Sequence, residues 1–468
     1  MAMSGKWLEH DSELHIYFDD SSFEHFPNIL KASIKSNAYF LGEKDQNDII
    51  HSKVKKLPGK EGQSVEILDS KESLLWERGD FVAYVFRLED FKNTVLHFEI
   101  CTDFSSCKEF SFPYSMLEKL YGSMKVSLHG KNNDNEIGSI KFNYLIINPW
   151  RSDSVPRDSL LGLQPQEWHP FEEKERHTLN IGHRGCGVTN GQPISQGTPI
   201  ENTIASFRTA FDNGADFVEL DVQLSKDSVP VVFHDFYANI QAKQSTGCTT
   251  KMTIPVSDMT LENMRTFEFM LKDDKGDFPH DKPEKGVLFP SLEEVFTELP
   301  KDLGIFVEAK YPMQNIDKSW EANHFPDKCK LVEKILEVIF KHGKDRRIIL
   351  GSFDPGICIM FRLKQPRYRV VFISSCENDV WEPLFDARCR SWNMALNFAK
   401  TEGLLGISVF ADPIIDSIHD RQRIAQNAAL ELFTWGCPTG ANTEIRCLEL
   451  QRRSNIAGVI YDRLNELK

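Results

Sequence analysis

Between residues 14 and 147 short apolar runs alternate with polar or turn-forming stretches. The runs at 14–18, 65–68, 81–88, 94–101, 125–129 and 138–147 are rich in Val, Ile, Phe and Tyr. Strands that bury one face have this pattern, so residues 1–150 are expected to form an all-β, sandwich-like domain. Residues 131–135 read as a hairpin loop, because Asn and Asp tolerate left-handed backbone. Its histidines, such as His97 and His129, fall singly within or at the ends of strands and assemble no catalytic group.

Residues 151–176 mix Ser, Pro, Gln and charge without periodicity and read as a linker. Beyond them apolar runs alternate with amphipathic stretches. Runs at 179–182, 217–222 and 229–233 are followed by others centred on Phe306, Ile349, Val371, Ser408, Phe433 and Val459. Such alternation predicts an α/β fold, a TIM-type (β/α)8 barrel over residues 177–468. That makes nine runs for eight barrel positions. Residues 203–213 put Ile204, Phe207 and Phe211 on one helical face, with Asn202 placed to cap the start and Gly214 to end it. Only Gln223 to Val229 separate the second run from the third, too few for a crossover helix. At about 3.3 Å per residue they still reach roughly 23 Å, so both runs are expected to point the same way. The charged stretch 272–285 reads as a solvated loop.

At 468 residues two domains are the expected count. An apolar content of 41% and a charged content of 26% are those of a globular protein. The 55 basic and 69 acidic residues leave a net charge of −14, which argues against a nucleic-acid surface but not against a small anion pocket. Ten scattered cysteines without a Cys-x-x-Cys pair, and no apolar leader, predict reduced thiols and a cytoplasmic location. No run approaches the ~20 apolar residues of a spanning helix, so no integral membrane association is expected.

The chemistry concentrates between residues 182 and 235. In Phe217-Val218-Glu219-Leu220-Asp221-Val222 the two-residue strand period sends Glu219 and Asp221 to one face, a pair suited to a hard divalent cation. His183 and His234 each end an apolar run, at the strand ends where parallel barrels build their sites. Imidazole moves protons near neutral pH, and Arg184 beside His183 offers the fork that fits phosphate oxygens.

With Gly182-His183-Arg184-Gly185, Ile200-Glu201-Asn202-Thr203, His234-Asp235, 289–295, Phe306-Val307-Glu308-Ala309-Lys310, Ser352-Phe353-Asp354 and 433–436 in this order, residues 176–468 resemble a glycerophosphodiester phosphodiesterase domain. The long 187–199 insert and the 459–463 ending are most similar to the cytosolic eukaryotic glycerophosphocholine phosphodiesterases. The resemblance implies that Glu219, Asp221 and Glu308 hold Mg²⁺ or Ca²⁺, and that Arg184 and Lys310 contact phosphate. It implies His183 as proton acceptor and His234 as donor, with Glu201 supporting the His183 side. The attacking group would be a neighbouring glycerol hydroxyl, giving a cyclic phosphate that is then hydrolysed. Trp435, at a strand end, is either a packed barrel residue or an aromatic wall for a choline-like cation. Where the family has glycine after Lys226-Asp227 this chain has Ser228, which predicts a strained or reshaped turn.

Hydrolysis of glycerophosphocholine to choline and glycerol 3-phosphate is the expected reaction. Lysophospholipase D action on single-chain lipids and a non-catalytic metabolite-binding scaffold are the alternatives. Full-length relatives of this type carry an N-terminal starch-binding domain. Its tryptophan-bearing sugar platform is not recognisable here, so the chain is expected to begin after that domain or to have diverged from it. The partner of the β-domain is left open.

Overall fold

The computed structural model describes residues 7–23, 31–40, 51–60, 63–69, 72–88, 91–103, 106–130, 133–166, 177–186, 199–243, 249–266, 268–269, 288–436 and 441–462. The segments 187–198 and 272–285, the loop tip 131–132, residues 167–176 and Arg463 lie outside them. Contacts divide the chain into two units, residues 1–150 with 391–403, and residues 151–390 with 404–468.

The first unit is one ten-stranded sheet, antiparallel throughout. Its strand order is Glu66–Asp69, His51–Leu57, Phe81–Leu88, Ser12–Phe18, Asn133–Ile147, Tyr121–Gly130, Ser106–Pro113, Thr94–Asp103, Lys31–Phe40, Leu74–Glu77. The sheet folds over its own apolar face. Phe98 packs against Phe18 at 5.5 Å and Tyr84 at 5.3 Å, and the Tyr84 hydroxyl donates to the Ile34 carbonyl at 2.9 Å.

All six expected strands are present, and four more join them. In Lys31–Phe40 the described side chains that are buried are Ala32, Ile34, Ser36 and Ala38, among which Ile34 alone is strongly hydrophobic, so the strand gives little apolar signal. His51–Leu57 carries three lysines, two of them buried against carboxylates: Lys55 on Glu402 at 2.8 Å and Lys56 on Asp80 at 3.3 Å. The reading of all thiols as reduced is corrected here. Cys101 and Cys107 face each other on adjacent strands and are joined by a disulfide.

In the second unit eight parallel strands close into a barrel: Leu179–Gly182, Phe217–Leu224, Gly304–Ala309, Ile348–Ser352, Arg369–Ser374, Gly406–Phe410, Glu431–Trp435 and Gly458–Tyr461. The first strand pairs with both the second and the last. Their near-continuous burial explains why they read as apolar runs rather than alternating ones. Phe217, Phe306 and Phe433 fill the interior. A Cβ on Gly304, which pairs with Phe217, would come 2.4 Å from that ring, so the filling requires glycine there.

The ninth run, Pro230–Val232, is no barrel strand. It pairs antiparallel with the second strand, Val222 opposite Val232 and Leu224 opposite Pro230. The expectation of two co-directed strands is therefore corrected: Gln223 and Leu224 stay in the second strand and residues 225–229 make a tight return, which costs less chain than a second ascent. Ser228 stands in that turn at φ 67°, a conformation that favours glycine.

Thr203, rather than Asn202, caps the helix Ile204–Asp212, through a capping box with Ser206. Asn202 sits at φ 56° and turns its side chain toward the site. Residues 151–166 bind to the second unit. The Gln166 amide donates to Arg346 O at 2.9 Å, and its carbonyl oxygen accepts from Ile348 N at 3.1 Å.

Candidate active site

The second strand overshoots the site and comes back. Glu219 and Asp221 project from it, both buried. Asp221 is in register with Glu308 on the third strand. The returning hairpin then delivers His234 beside them, tied by Phe233 N to Asp221 O at 2.9 Å. Gln223 locks the return by donating to the carbonyls of Phe233 at 2.7 Å and Asp235 at 2.9 Å. Phe289 holds its outer side, stacked on Phe233 at 4.3 Å.

Gly185, at φ 91°, turns the chain after the first strand, and a Cβ there would lie 2.8 Å from the Ser206 backbone. The turn aims Arg184 inward at φ 51°. Its backbone N–H donates to Glu219 at 2.9 Å. Its guanidinium grips both Glu201 oxygens at 3.0 and 3.1 Å, with Nε 3.5 Å from Asp221. Asn202 donates to the other side of Asp221 at 2.8 Å. Lys310 stands 3.4 Å from Glu308 and 3.9 Å from Asp221.

Glu219, Asp221 and Glu308 thus bring carboxylate oxygens within 4.8 Å of one another. Burial and the adjacent Asp221 push Glu219 up to about 8, and burial also raises Glu308. Asp221 goes the other way: burial opposes ionisation, but His234, Arg184 and Lys310 hold it well below the usual carboxylate range. Glu219 Oε1 is buried without a hydrogen-bond partner. An all-oxygen donor set with an unsatisfied buried oxygen fits a hard divalent cation.

The histidines occupy opposite electrostatic settings. His183 Nδ1 meets Asp462 at 2.5 Å. Burial works to lower its pKa, but Asp462 outweighs it and the imidazole rises to about 8. His234 Nδ1 meets Asp235 at 2.8 Å. Burial, with Lys310 and Arg184 behind it, presses that ring down to about 4.

His183, His234, Arg184, Lys310 and the three carboxylates line a cavity of 740 Å³ together with Tyr237, Phe353, Trp381, Glu382 and Trp435. Trp435 packs on Phe410 at 5.1 Å and also lines the cavity, so it is at once barrel and pocket residue. Sequence reasoning missed Asp462, Asn202, Asp235 and Trp381. His234-Asp235 and Glu201-Asn202 adjacency could have flagged two of them. Asp462 and Trp381 reach the site only through the fold.

Fold and site together define an α/β barrel whose carboxyl-terminal end carries two histidines, three clustered carboxylates and two cations. Residues 183–466 match the model of the glycerophosphoryl diester phosphodiesterase family, and the chain belongs to that family. It is similar to the glycerophosphocholine phosphodiesterase GPCPD1 of Homo sapiens, 31% identical over 364 residues, covering 74% of this chain and 51% of that protein. It is also similar to the glycerophosphocholine phosphodiesterase GDE1 of Candida albicans, 29% identical and covering 74% of this chain and 32% of that one. The chain therefore spans about half the length of the human relative. The crystal structure of glycerophosphodiester phosphodiesterase from Thermotoga maritima superposes with a TM-score of 0.41 at 20% identity, over 62% of this chain and 97% of that one.

Proposed function

We propose that the chain hydrolyses glycerophosphodiesters, glycerophosphocholine foremost, to an alcohol and glycerol 3-phosphate. The observation that carries this reading is the convergence of His183, His234, Arg184, Lys310 and the three buried carboxylates in one cavity. The names of the similar human and Candida proteins support the glycerophosphocholine preference.

Glu219, Asp221 and Glu308 would hold Mg²⁺ or Ca²⁺, which supplies charge neutralisation at a phosphodiester oxygen. Arg184, fixed by Glu201, and Lys310 bind the remaining phosphate oxygens. With Nδ1 of each histidine engaged by a carboxylate, Nε2 is left for substrate. Neutral His234 takes the proton of the attacking hydroxyl, and protonated His183 gives one to the departing alcohol oxygen. That order reverses the one the family resemblance implied, because Asp462 favours the charged form of His183 against burial, while burial, with Lys310 and Arg184 behind it, favours the neutral form of His234.

A second reading, lysophospholipase D action, has its own support. Two loops beside the cavity pair through Ile316 N to Pro383 O at 2.8 Å and Phe385 N to Gln314 O at 2.7 Å. They expose Ile316, Trp320, Phe325, Val380 and Trp381, an apolar rim on which one acyl chain could lie. A turnover panel of glycerophosphocholine, glycerophosphoethanolamine, glycerophosphoinositol and lysophosphatidylcholine, each with and without chelator, tests both. Turnover confined to the first three excludes the lipid reading. Turnover of none overturns the phosphodiesterase assignment.

A further inference from the structure

In the closed ring of eight strands the sixth stands four places from the second, so strands five to seven lie across the mouth from the strands bearing Arg184, the carboxylates and Lys310. That far side is aromatic. Trp435 ends the seventh strand and Phe410 the sixth. Trp381, on the loop after the fifth, packs on both, its ring centroid 5.4 Å from Trp435 and 4.8 Å from Phe410. Phe353 meets Trp435 edge-on at 5.6 Å.

Trp381 is nonetheless 47% exposed and lines the cavity, so part of its ring faces the ligand space. Its backbone is fixed: Trp381 N–H donates to Asn378 Oδ1 at 2.8 Å, and Pro383 O two residues on accepts from Ile316. Glu382, the next residue, lines the same cavity. The phosphate side of the pocket carries the cations; this side pairs indole faces with an acid.

We propose that Trp381, Trp435 and Glu382 form a clamp for a quaternary ammonium group, and that Trp381 is the residue that sets head-group preference. Indole faces attract a permanent cation that cannot donate hydrogen bonds, and a nearby carboxylate adds long-range attraction. Trp381 is not a catalytic residue; it acts on the part of the substrate remote from the phosphorus. The proposal rests on the phosphodiesterase reading of this pocket only for which end holds phosphate.

The test is ligand-observed NMR on the full chain, comparing the Kd of choline with that of its neutral isostere, in which a carbon replaces the nitrogen. Choline is expected to bind about 2- to 30-fold more tightly. Trp381→Leu brings the ratio close to one, and Glu382→Gln lowers it part of the way. Equal Kd values in the unaltered chain, no binding of either ligand, or a ratio unchanged in Trp381→Leu would each overturn the clamp. Binding requires no turnover. A chain that prefers choline yet hydrolyses nothing in the turnover panel keeps the clamp and loses the phosphodiesterase reading, and turnover without choline preference does the reverse.

Discussion

Asp462 holds Nδ1 of His183 at 2.5 Å across 279 positions of sequence, so the end of the last barrel strand tunes the first residue after the opening one. The contact raises the imidazole to about 8 against the effect of burial. Because the folded value lies above the ordinary 6.5, the pair contributes stability that is full below pH 6.5 and lost as pH rises through about 8. Asp462→Asn should therefore lower the His183 midpoint in an NMR titration and flatten stability over that window. A midpoint that stays near 8 would remove Asp462 from this role.

His183→Ala and His234→Ala should each reduce kcat by ~10²-fold or more, the usual contribution of a general acid or base. Far-ultraviolet circular dichroism checks that both remain folded. In unaltered enzyme, the kcat/KM profile should fall on the alkaline side as His183 deprotonates and on the acid side as His234 protonates. A profile that stays level above pH 8 or below pH 4 would remove the corresponding histidine from the proton transfers.

Glu219 makes metal-free protein pH-sensitive. Its carboxyl titrates near 8 in the fold against an ordinary 4.5, so the native state holds an extra proton between those values and loses stability as pH rises through them. In chelator the melting temperature should fall from pH 5 to pH 8, and Mg²⁺ or Ca²⁺ should restore it at pH 8. Glu219→Gln should remove the rescue by metal and the fall between pH 5 and 6.5, leaving above it the part that His183 contributes. A metal effect that survives Glu219→Gln would exclude this carboxylate as a ligand.

In the first unit, Lys55 and Glu402 are a buried ion pair with both carboxylate oxygens engaged at 2.8 and 2.9 Å. Lys55→Met strands a buried carboxylate and should cost about 3–5 kcal/mol, whereas a Lys55→Met, Glu402→Leu double variant should recover most of it. Urea denaturation measures both. Equal losses in the single and double variants would show that packing, not the unpaired charge, sets the cost.

Ser228 occupies left-handed backbone at φ 67°. Glycine relieves about 1–2 kcal/mol of steric cost there and gives back roughly 0.5–1 kcal/mol in chain entropy. Ser228→Gly should therefore stabilise the barrel slightly. The Ser225 hydroxyl, which binds Asp227 and Val229 N, already braces the turn. A loss of stability would show that the serine side chain itself is needed.

Strand positions in the barrel were legible because fully buried parallel strands leave unbroken apolar runs. The direction of one was not. Pro230–Val232 is as apolar as its neighbours, and apolar content carries no information about polarity in the sheet. Glu219, Asp221 and the two histidines stood out because a strand period and a strand end fix where they point. Asp462 and Trp381 did not, since each meets the site through barrel closure or a loop held by another loop. In the first unit Lys55 and Lys56 hid a strand, because their burial depends on acids far away in sequence.

The returning hairpin separates the site into two halves that are expected to assemble at different stages of folding. Residues 217–234 contain a short ladder closed by the five residues 225–229, so the acid pair and His234 can meet early, at small loop-closure cost. Lys310 and Glu308 join when the third strand pairs. His183 meets Asp462 only at the seam between the first strand and the last, where each contributes four residues. In hydrogen exchange the first strand, paired at four positions with the last and at two with the second, is expected to open before the returning hairpin, so that the carboxylate half outlasts the loss of its His183 partner.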